Sequence, residues 1–217
     1  MQIIDGHTII SASDLNNFVA CKHLLALNMA RAEGRLEAEQ SNNETGDLLA
    51  RKGIEHETAY LAGLKAEGRH VVEIPYPGDS TPAALEKSAQ LTREAMGPGA
   101  DVVFQATFFD GASRGHADFL FKVEDPSDLG GFSYEVADTK LAKHSKPYFL
   151  IQLCFYSELL EKVEGGSPPA YIHVVLGTGE MQSYRLSDFS AYFRQIKRSF
   201  DRELEAGIPD TSPYPVA

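Results

Sequence analysis

The sequence is poor in cysteine and has no long apolar run, and each shortage excludes a class of protein. Its two cysteines, Cys21 and Cys154, lie far apart, so the chain cannot form a disulfide framework or a self-contained CxxC zinc site. This composition fits a reducing compartment, and we predict a cytoplasmic protein. Apolar stretches such as 171–176 are far shorter than the roughly 20 residues that span a bilayer, so no membrane segment is predicted.

Basic residues are also scarce. The 217 residues contain 20 Lys and Arg against 31 Asp and Glu, a formal net charge of -11. A protein that coats nucleic acid is expected to be basic, so the balance counts against bulk electrostatic binding. It still allows an enzyme with a carboxylate-bound cation, because the cation cancels the negative charge where a phosphate arrives. The absence of a Gly-rich nucleotide fingerprint counts against a small-molecule-binding protein.

The first part of the chain, residues 1–97, is predicted to be mainly helical. Apolar residues at helical spacing follow Ser11 and Ser13 and indicate a helix to about Ala32. A second helix is predicted to begin at a Thr45 cap and to stop at Gly68. Thr81 followed by Pro82 starts a third, which ends near Gly97, because Pro suits the first helical turn and Gly the exit.

Residues 98–207 change to a strand period and are predicted to form a sheet core. Asp110-Gly111 is typical of a tight turn between two strands. The predicted elements are strands at 102–109, 115–123 and 132–141, a helix from Pro147 to about Val163, strands at 170–176 and 181–186, and a helix capped by Ser187 that runs to Gly207. We therefore predict one α/β (α+β) domain over residues 1–217, with a mixed central sheet flanked by helices and a tail at 208–217.

Two carboxylates on neighbouring predicted strands stand out, Asp118 and Asp138. Asp138 and Lys140 are two apart on one strand and share a face. Carboxylate oxygens hold hard cations such as Mg²⁺ or Mn²⁺, which activate water for phosphodiester hydrolysis, and Lys140 would orient that water. The alternative is a surface ion pair on an edge strand, because so short a motif often occurs by chance.

Further polar residues lie on the helices around these strands. His56 lies mid-helix in Gly53-Ile54-Glu55-His56-Glu57, and Gln152 and Tyr156 are four apart on one helix face. The order helix GxxHE, strand GxxD, strand DxK, helix QxxxY resembles the RecB-like branch of the PD-(D/E)XK nuclease superfamily, including CRISPR-associated RecB-like exonucleases. The resemblance covers roughly residues 11–186, with Ala117 at the position of the superfamily's proline.

The resemblance implies a restriction-endonuclease-like core and a site residue by residue. His56, Asp118 and Asp138 would bind Mg²⁺ or Mn²⁺, with Thr139 as a further candidate ligand through its carbonyl. Lys140 would be the catalytic lysine, and Gln152 and Tyr156 would lie near the metal. His116 shares a predicted strand face with Asp118 and is a rival ligand to His56. For Glu57 and Glu135 we favour exposed charges over site residues.

Cys21 has two interpretations. In many relatives a cysteine in the first helix joins three later cysteines around an iron-sulfur cluster, and Phe18-Val19-Ala20-Cys21-Lys22 resembles that first ligand. The tail at 211–217 resembles the segment ahead of the cysteine cluster, which implies that the chain is the nuclease fragment of a longer protein. On this sequence alone a free buried thiol is preferred for Cys21, and Cys154 is assigned to the core.

Basic residues close to the motifs are candidate DNA contacts. Lys143, His144 and Lys146 follow the DxK strand, and Arg51 and Lys52 precede His56. They would contact phosphates, the alternative being ordinary surface lysines. We predict a metal-dependent DNA nuclease, an exonuclease on single strands or ends, working with a helicase or other nuclease-associated domain in the same or a partner chain. The alternative is a catalytically silent nucleic-acid-binding or scaffold module; intact Asp118, Asp138 and Lys140 favour the enzyme.

Overall fold

A mixed β-sheet flanked by helices forms the centre of the protein. The computed structural model describes residues 1–4, 6–37, 43–165 and 168–207. The strands are β1 (Gln2–Ile4), β2 (His7–Ile9), β3 (Val71–Glu73), β4 (Val102–Phe109), β5 (Arg114–Val123), β6 (Ser133–Lys140), β7 (Tyr171–Leu176) and β8 (Met181–Arg185), and the helices are α1 (Ala12–Ala20), α2 (Lys22–Ala32), α3 (Glu44–Ala66), α4 (Pro82–Met96), α5 (Pro147–Glu164) and α6 (Leu186–Glu205).

The main sheet has six strands in the order β3-β4-β5-β6-β7-β8. β3 is parallel to β4 and β6 is parallel to β7, whereas the other neighbours are antiparallel. Parallel strands need a long crossover, and α5 supplies the one between β6 and β7. β1 and β2 form a separate hairpin. This topology places the ends of β6 and β7 beside the first turns of α5.

Helices cover both faces of the sheet, because successive side chains of a strand point to opposite sides. On one face, Leu61 and Leu64 of α3 cluster with Ala137. On the other, α5 joins Tyr134 and Val136 in the main core. α5 is buried along most of its length because the sheet, α1 and α6 all contact it.

Most predicted elements agree with the structure, and the disagreements are local. The first predicted helix is in fact two, because the backbone is extended at Cys21 (φ -165°). α3 is capped by Asn43 instead of Thr45, and the Asn43 side chain accepts a hydrogen bond from Gly46 N. α6 is capped at Arg185 instead of Ser187. The short strands β1, β2 and β3 were not predicted, and the tail at 208–217 lies outside the described residues.

No helix in the described ranges is both long and apolar enough to cross a membrane.

Glu164, the last residue of α5, is a buried carboxyl to which the sequence analysis assigned no role. Its Oε1 accepts a hydrogen bond from Tyr134 N, and its Oε2 is buried without a partner among the described residues. Burial, with a smaller contribution from Glu135, raises the pKa of Glu164 from 4.5 to about 8. The unfolded chain therefore loses this proton at lower pH than the folded protein, so the contribution of Glu164 to stability falls as pH rises between these values.

We expect Glu164→Gln to remove most of that decline, because glutamine resembles the protonated acid. At about pH 8 the variant should be more stable than the parent by on the order of 2–4 kcal/mol, since one pKa unit corresponds to about 1.4 kcal/mol. Urea unfolding at about pH 5 and about pH 8 measures the free energy of unfolding of both proteins. The exposed Glu124→Gln is the matched control. Equal pH slopes for parent and Glu164→Gln would contradict this account.

Candidate active site

Two carboxylates face each other across adjacent strands at the centre of the sheet. Phe119 of β5 is paired with Ala137 of β6. The paired register ends there, and Asp118 and Asp138 are the next residues on the two strands, close enough for the charge of Asp138 to raise the pKa of Asp118. Asp138 is only 2% exposed. Two acidic groups that sequence places 20 residues apart are therefore neighbours in an interior position.

Asp118 is held by the strand opposite it. Its Oδ2 accepts hydrogen bonds from Thr139 N and Thr139 Oγ1, both at 2.7 Å. Burial raises the pKa of Asp118 well above its ordinary value, and the negative charges of Asp138 and Glu57 raise it further. A cation at this point would offset the repulsion, since a nearby positive charge favours the ionised form.

Asp138 accepts hydrogen bonds from its own strand and from α5. Its Oδ2 accepts hydrogen bonds from Lys140 Nζ and, at 3.2 Å, from Gln152 Nε2. Gln152 Nε2 also donates to Tyr156 Oη at 3.1 Å. Gln152 and Tyr156 share a helix face because they are four residues apart. The structure thus brings together five of the residues that the sequence motifs singled out: Asp118, Asp138, Lys140, Gln152 and Tyr156.

Lys140 remains a cation in this environment. Its side chain is 23% exposed. Burial alone lowers the pKa of Lys140, but the carboxylate of Asp138 outweighs it and the net shift is upward. Burial and the charge of Asp138 raise the pKa of Tyr156, so its hydroxyl stays protonated. The pair Asp138–Lys140 is consequently a partly buried ion pair and not a pair on a solvated edge strand, since β6 lies inside the sheet.

Sequence reasoning did not assign two residues that the structure brings to this site, Glu57 and Gln105. Gln105 Nε2 donates a hydrogen bond to Glu57, and Gln105 adopts φ 58°. A residue other than glycine rarely adopts this conformation, and it often marks a functional position. Burial raises the pKa of Glu57, as does the charge of Asp138. Glu57 adjoins His56 in the GxxHE motif, which was the only available signal; nothing in the sequence pointed to Gln105.

The oxygens that remain free suit a hard cation. Asp118 and Asp138 each use only Oδ2 for the hydrogen bonds above, so neither Oδ1 has a donor among the described residues. The Nε2 atom of His56 is buried and likewise lacks a partner there. In the described ranges, however, no three His, Cys, Asp or Glu side chains converge closely enough to hold a metal ion. The carboxylate oxygens are ligands that Mg²⁺ and Mn²⁺ accept in proteins.

The other candidate ligands are engaged elsewhere. His116 Nδ1 lies 3.2 Å from Thr107 Oγ1, and burial lowers the pKa of this imidazole. Glu135 is buried, contrary to the exposed charge expected, and accepts hydrogen bonds from His173 Nε2 and Tyr171 N at 2.9 Å each. It forms part of the sheet's internal polar network.

The candidate DNA contacts lie on α3 and on the segment between β6 and α5. Lys52 is exposed on α3 and forms an ion pair with Glu55 at 2.6 Å. Lys143, His144 and Lys146 are exposed between β6 and α5, directly after Lys140. None of these three forms an ion pair within the part of the chain that the structure describes.

The cysteines differ in environment. Cys21 is partly exposed at the junction of α1 and α2, so the expectation of a buried thiol is wrong. Cys154 is 3% exposed in the main core, as predicted, and burial raises its pKa to about 12. Because Cys154 is sealed in the core, the chain offers one accessible thiol and does not itself supply the ligands of an iron-sulfur cluster.

No family model matches the chain, and no curated protein matches it.

Proposed function

We propose that the protein is a metal-dependent DNA nuclease with a restriction-endonuclease-like core of the RecB-like kind. The observation that carries the proposal is the convergence of Asp118, Asp138 and Lys140 with Gln152 at the middle of a mixed sheet, on elements in the order that this nuclease family uses. Lys140 is held by the buried carboxylate of Asp138, beside the second carboxylate of Asp118. Burying charged groups is costly, so such a cluster is more typical of a functional site than of simple packing.

Asp118 and Asp138 are the residues that would hold Mg²⁺ or Mn²⁺, through the Oδ1 atoms that protein donors leave free. His56 and the Thr139 carbonyl are further candidates for the same ion. The bound cation would supply Lewis-acid polarisation of the scissile phosphate and lower the pKa of a water. Glu57 interacts electrostatically with Asp138 and Lys140, and its raised pKa makes it an additional candidate to accept a proton in the reaction.

Lys140 would stabilise the reaction electrostatically. The reaction joins a water oxygen to phosphorus and breaks the bond from phosphorus to the departing strand, and negative charge grows on the phosphoryl oxygens between these events. Asp138 holds the Lys140 ammonium in position beforehand, so little reorganisation is needed as that charge develops. Gln152 and the protonated Tyr156 are donors on the adjacent helix face and would fix the orientation of Asp138 and of the bound strand.

The direct test is cleavage of end-labelled single-stranded and double-stranded DNA by the purified chain. We expect shortened products with Mn²⁺ or Mg²⁺ and intact DNA with EDTA. Intact DNA under all conditions, with a folded protein, would favour the silent binding or scaffold module instead. Cleavage that persists in EDTA would contradict the metal-dependent chemistry.

A further inference from the structure

An exposed aromatic ring stands beside the candidate site. Tyr148 is 46% exposed in the first turn of α5. It is four residues before Gln152 and therefore shares the helix face that carries Gln152 and Tyr156. Tyr148 and Gln152 are about 6 Å apart along the axis, four residues at a rise of about 1.5 Å each. The exposed ring thus continues the row of side chains that contacts Asp138.

Contacts on one side hold this ring in place. It packs edge-on against Phe149, with ring centroids 4.6 Å apart. Phe149 is buried and lies 5.5 Å from Lys140 Nζ. Within the described ranges, the Tyr148 hydroxyl makes no hydrogen bond. A ring that packs against Phe149 on one side and is 46% exposed keeps part of its apolar surface in contact with solvent.

One unpaired lysine lies beside the ring, and a second is close to it in sequence. Lys146 Nζ lies 5.8 Å from the Tyr148 centroid, and Lys143 and His144 are exposed nearby in sequence. In a chain of net charge -11, positive side chains that form no ion pair among the described residues make a local field that attracts phosphate. An exposed aromatic ring close to such lysines is the combination that binds a nucleic-acid strand through base stacking and phosphate contacts.

We propose that Tyr148 stacks an unpaired base next to the bond that is cleaved, while Lys143 and Lys146 contact the flanking phosphates. This inference rests on the proposed function and specifies its substrate class as single-stranded DNA. In a duplex, each internal base has both faces covered by its neighbours, so only an unpaired base offers a face to the ring. Lys140 and Tyr148, joined through Phe149, would set the distance between the scissile phosphate and the stacked base.

The test is equilibrium binding of fluorescent DNA by anisotropy, with Ca²⁺ in place of Mg²⁺ and the DNA shown to remain intact on a gel. We expect Tyr148→Ala to weaken binding of a single strand about 10-fold, since stacking is worth about 1–3 kcal/mol per base. Tyr148→Phe keeps the ring and should bind like the parent. Tyr171→Ala is the matched control. Tyr171 is 39% exposed and is the first residue of β7, whose last residue, Leu176, pairs with Lys140. Duplex affinity should change less than about twofold in all variants.

Two further outcomes separate this inference from the proposed function. A strand with abasic sites should bind the parent as weakly as an ordinary strand binds Tyr148→Ala. If Tyr148→Ala binds single strands like the parent, or loses single strands and duplex equally, the stacking inference is wrong even where the parent cleaves DNA. A parent that binds single strands through Tyr148 but never cleaves them would support stacking and refute the nuclease.

Discussion

Replacing Lys140 by alanine is expected to lower the turnover of DNA cleavage about 100-fold or more, because one electrostatic contact that acts at the transition state is worth roughly 3 kcal/mol. Affinity for DNA and for Mn²⁺ should change little, since the ammonium serves mainly the charge that develops during reaction. Lys140→Arg should recover only part of the rate, because a planar guanidinium cannot occupy the place of a compact ammonium against Asp138. Cleavage rates at saturating Mn²⁺ measure all three forms.

Lys122→Ala is the matched control for this experiment. Lys122 also projects from the sheet, and it pairs with Tyr134. It is four residues after Asp118 on β5, which places the two residues roughly 13 Å apart at about 3.3 Å per residue. It donates to Gly99 O instead of to a carboxylate of the site. Its loss should leave turnover within about twofold. Unchanged turnover in Lys140→Ala would remove Lys140 from the active site.

Asp118→Asn is expected to have two opposite effects, on metal binding and on stability. The double variant Asp118→Asn with Asp138→Asn should bind Mn²⁺ at least about 100-fold more weakly, or by about 2.7 kcal/mol, because neutral amides replace both anionic ligands. Alone and without metal, Asp118→Asn should raise the free energy of unfolding, because it removes a buried charge that Asp138 and Glu57 repel. The asparagine oxygen can still accept the hydrogen bonds from Thr139.

Calorimetry with Mn²⁺ and urea unfolding in EDTA give these two readouts. Asp110→Asn is the matched control, since Asp110 lies in the turn between β4 and β5 and pairs with Lys162 at 2.6 Å. It should bind Mn²⁺ like the parent and gain no stability. Binding of Mn²⁺ by the double variant with the parent's affinity would contradict the metal site. A loss of stability in Asp118→Asn would instead show that the carboxylate is structural.

Much of the grouping of the candidate site residues could be predicted from the sequence, because it depends on short spacings within single elements. Asp138 and Lys140 share a face whenever residues 133–140 form a strand, and Gln152 and Tyr156 share a face whenever Pro147–Glu164 is a helix. Such local rules hold wherever the rest of the chain lies. Local patterns failed at Cys21, where the helix is interrupted without Gly or Pro, and at the three-residue strands, which are too short to show a period.

By itself, the sequence determined the class of fold, an α/β protein with a mixed sheet flanked by helices, through its hydrophobic periods and turn residues. Only the tertiary structure decided which strands are neighbours, and hence that Asp118 lies close to Asp138 and that Glu57 and Gln105 join them. It also decided that Glu135 belongs to an interior network and that Tyr148 stays exposed. The physical reason is that periodicity assigns a side chain to a face of its own element, whereas burial, charge and pKa depend on the elements that pack against that face.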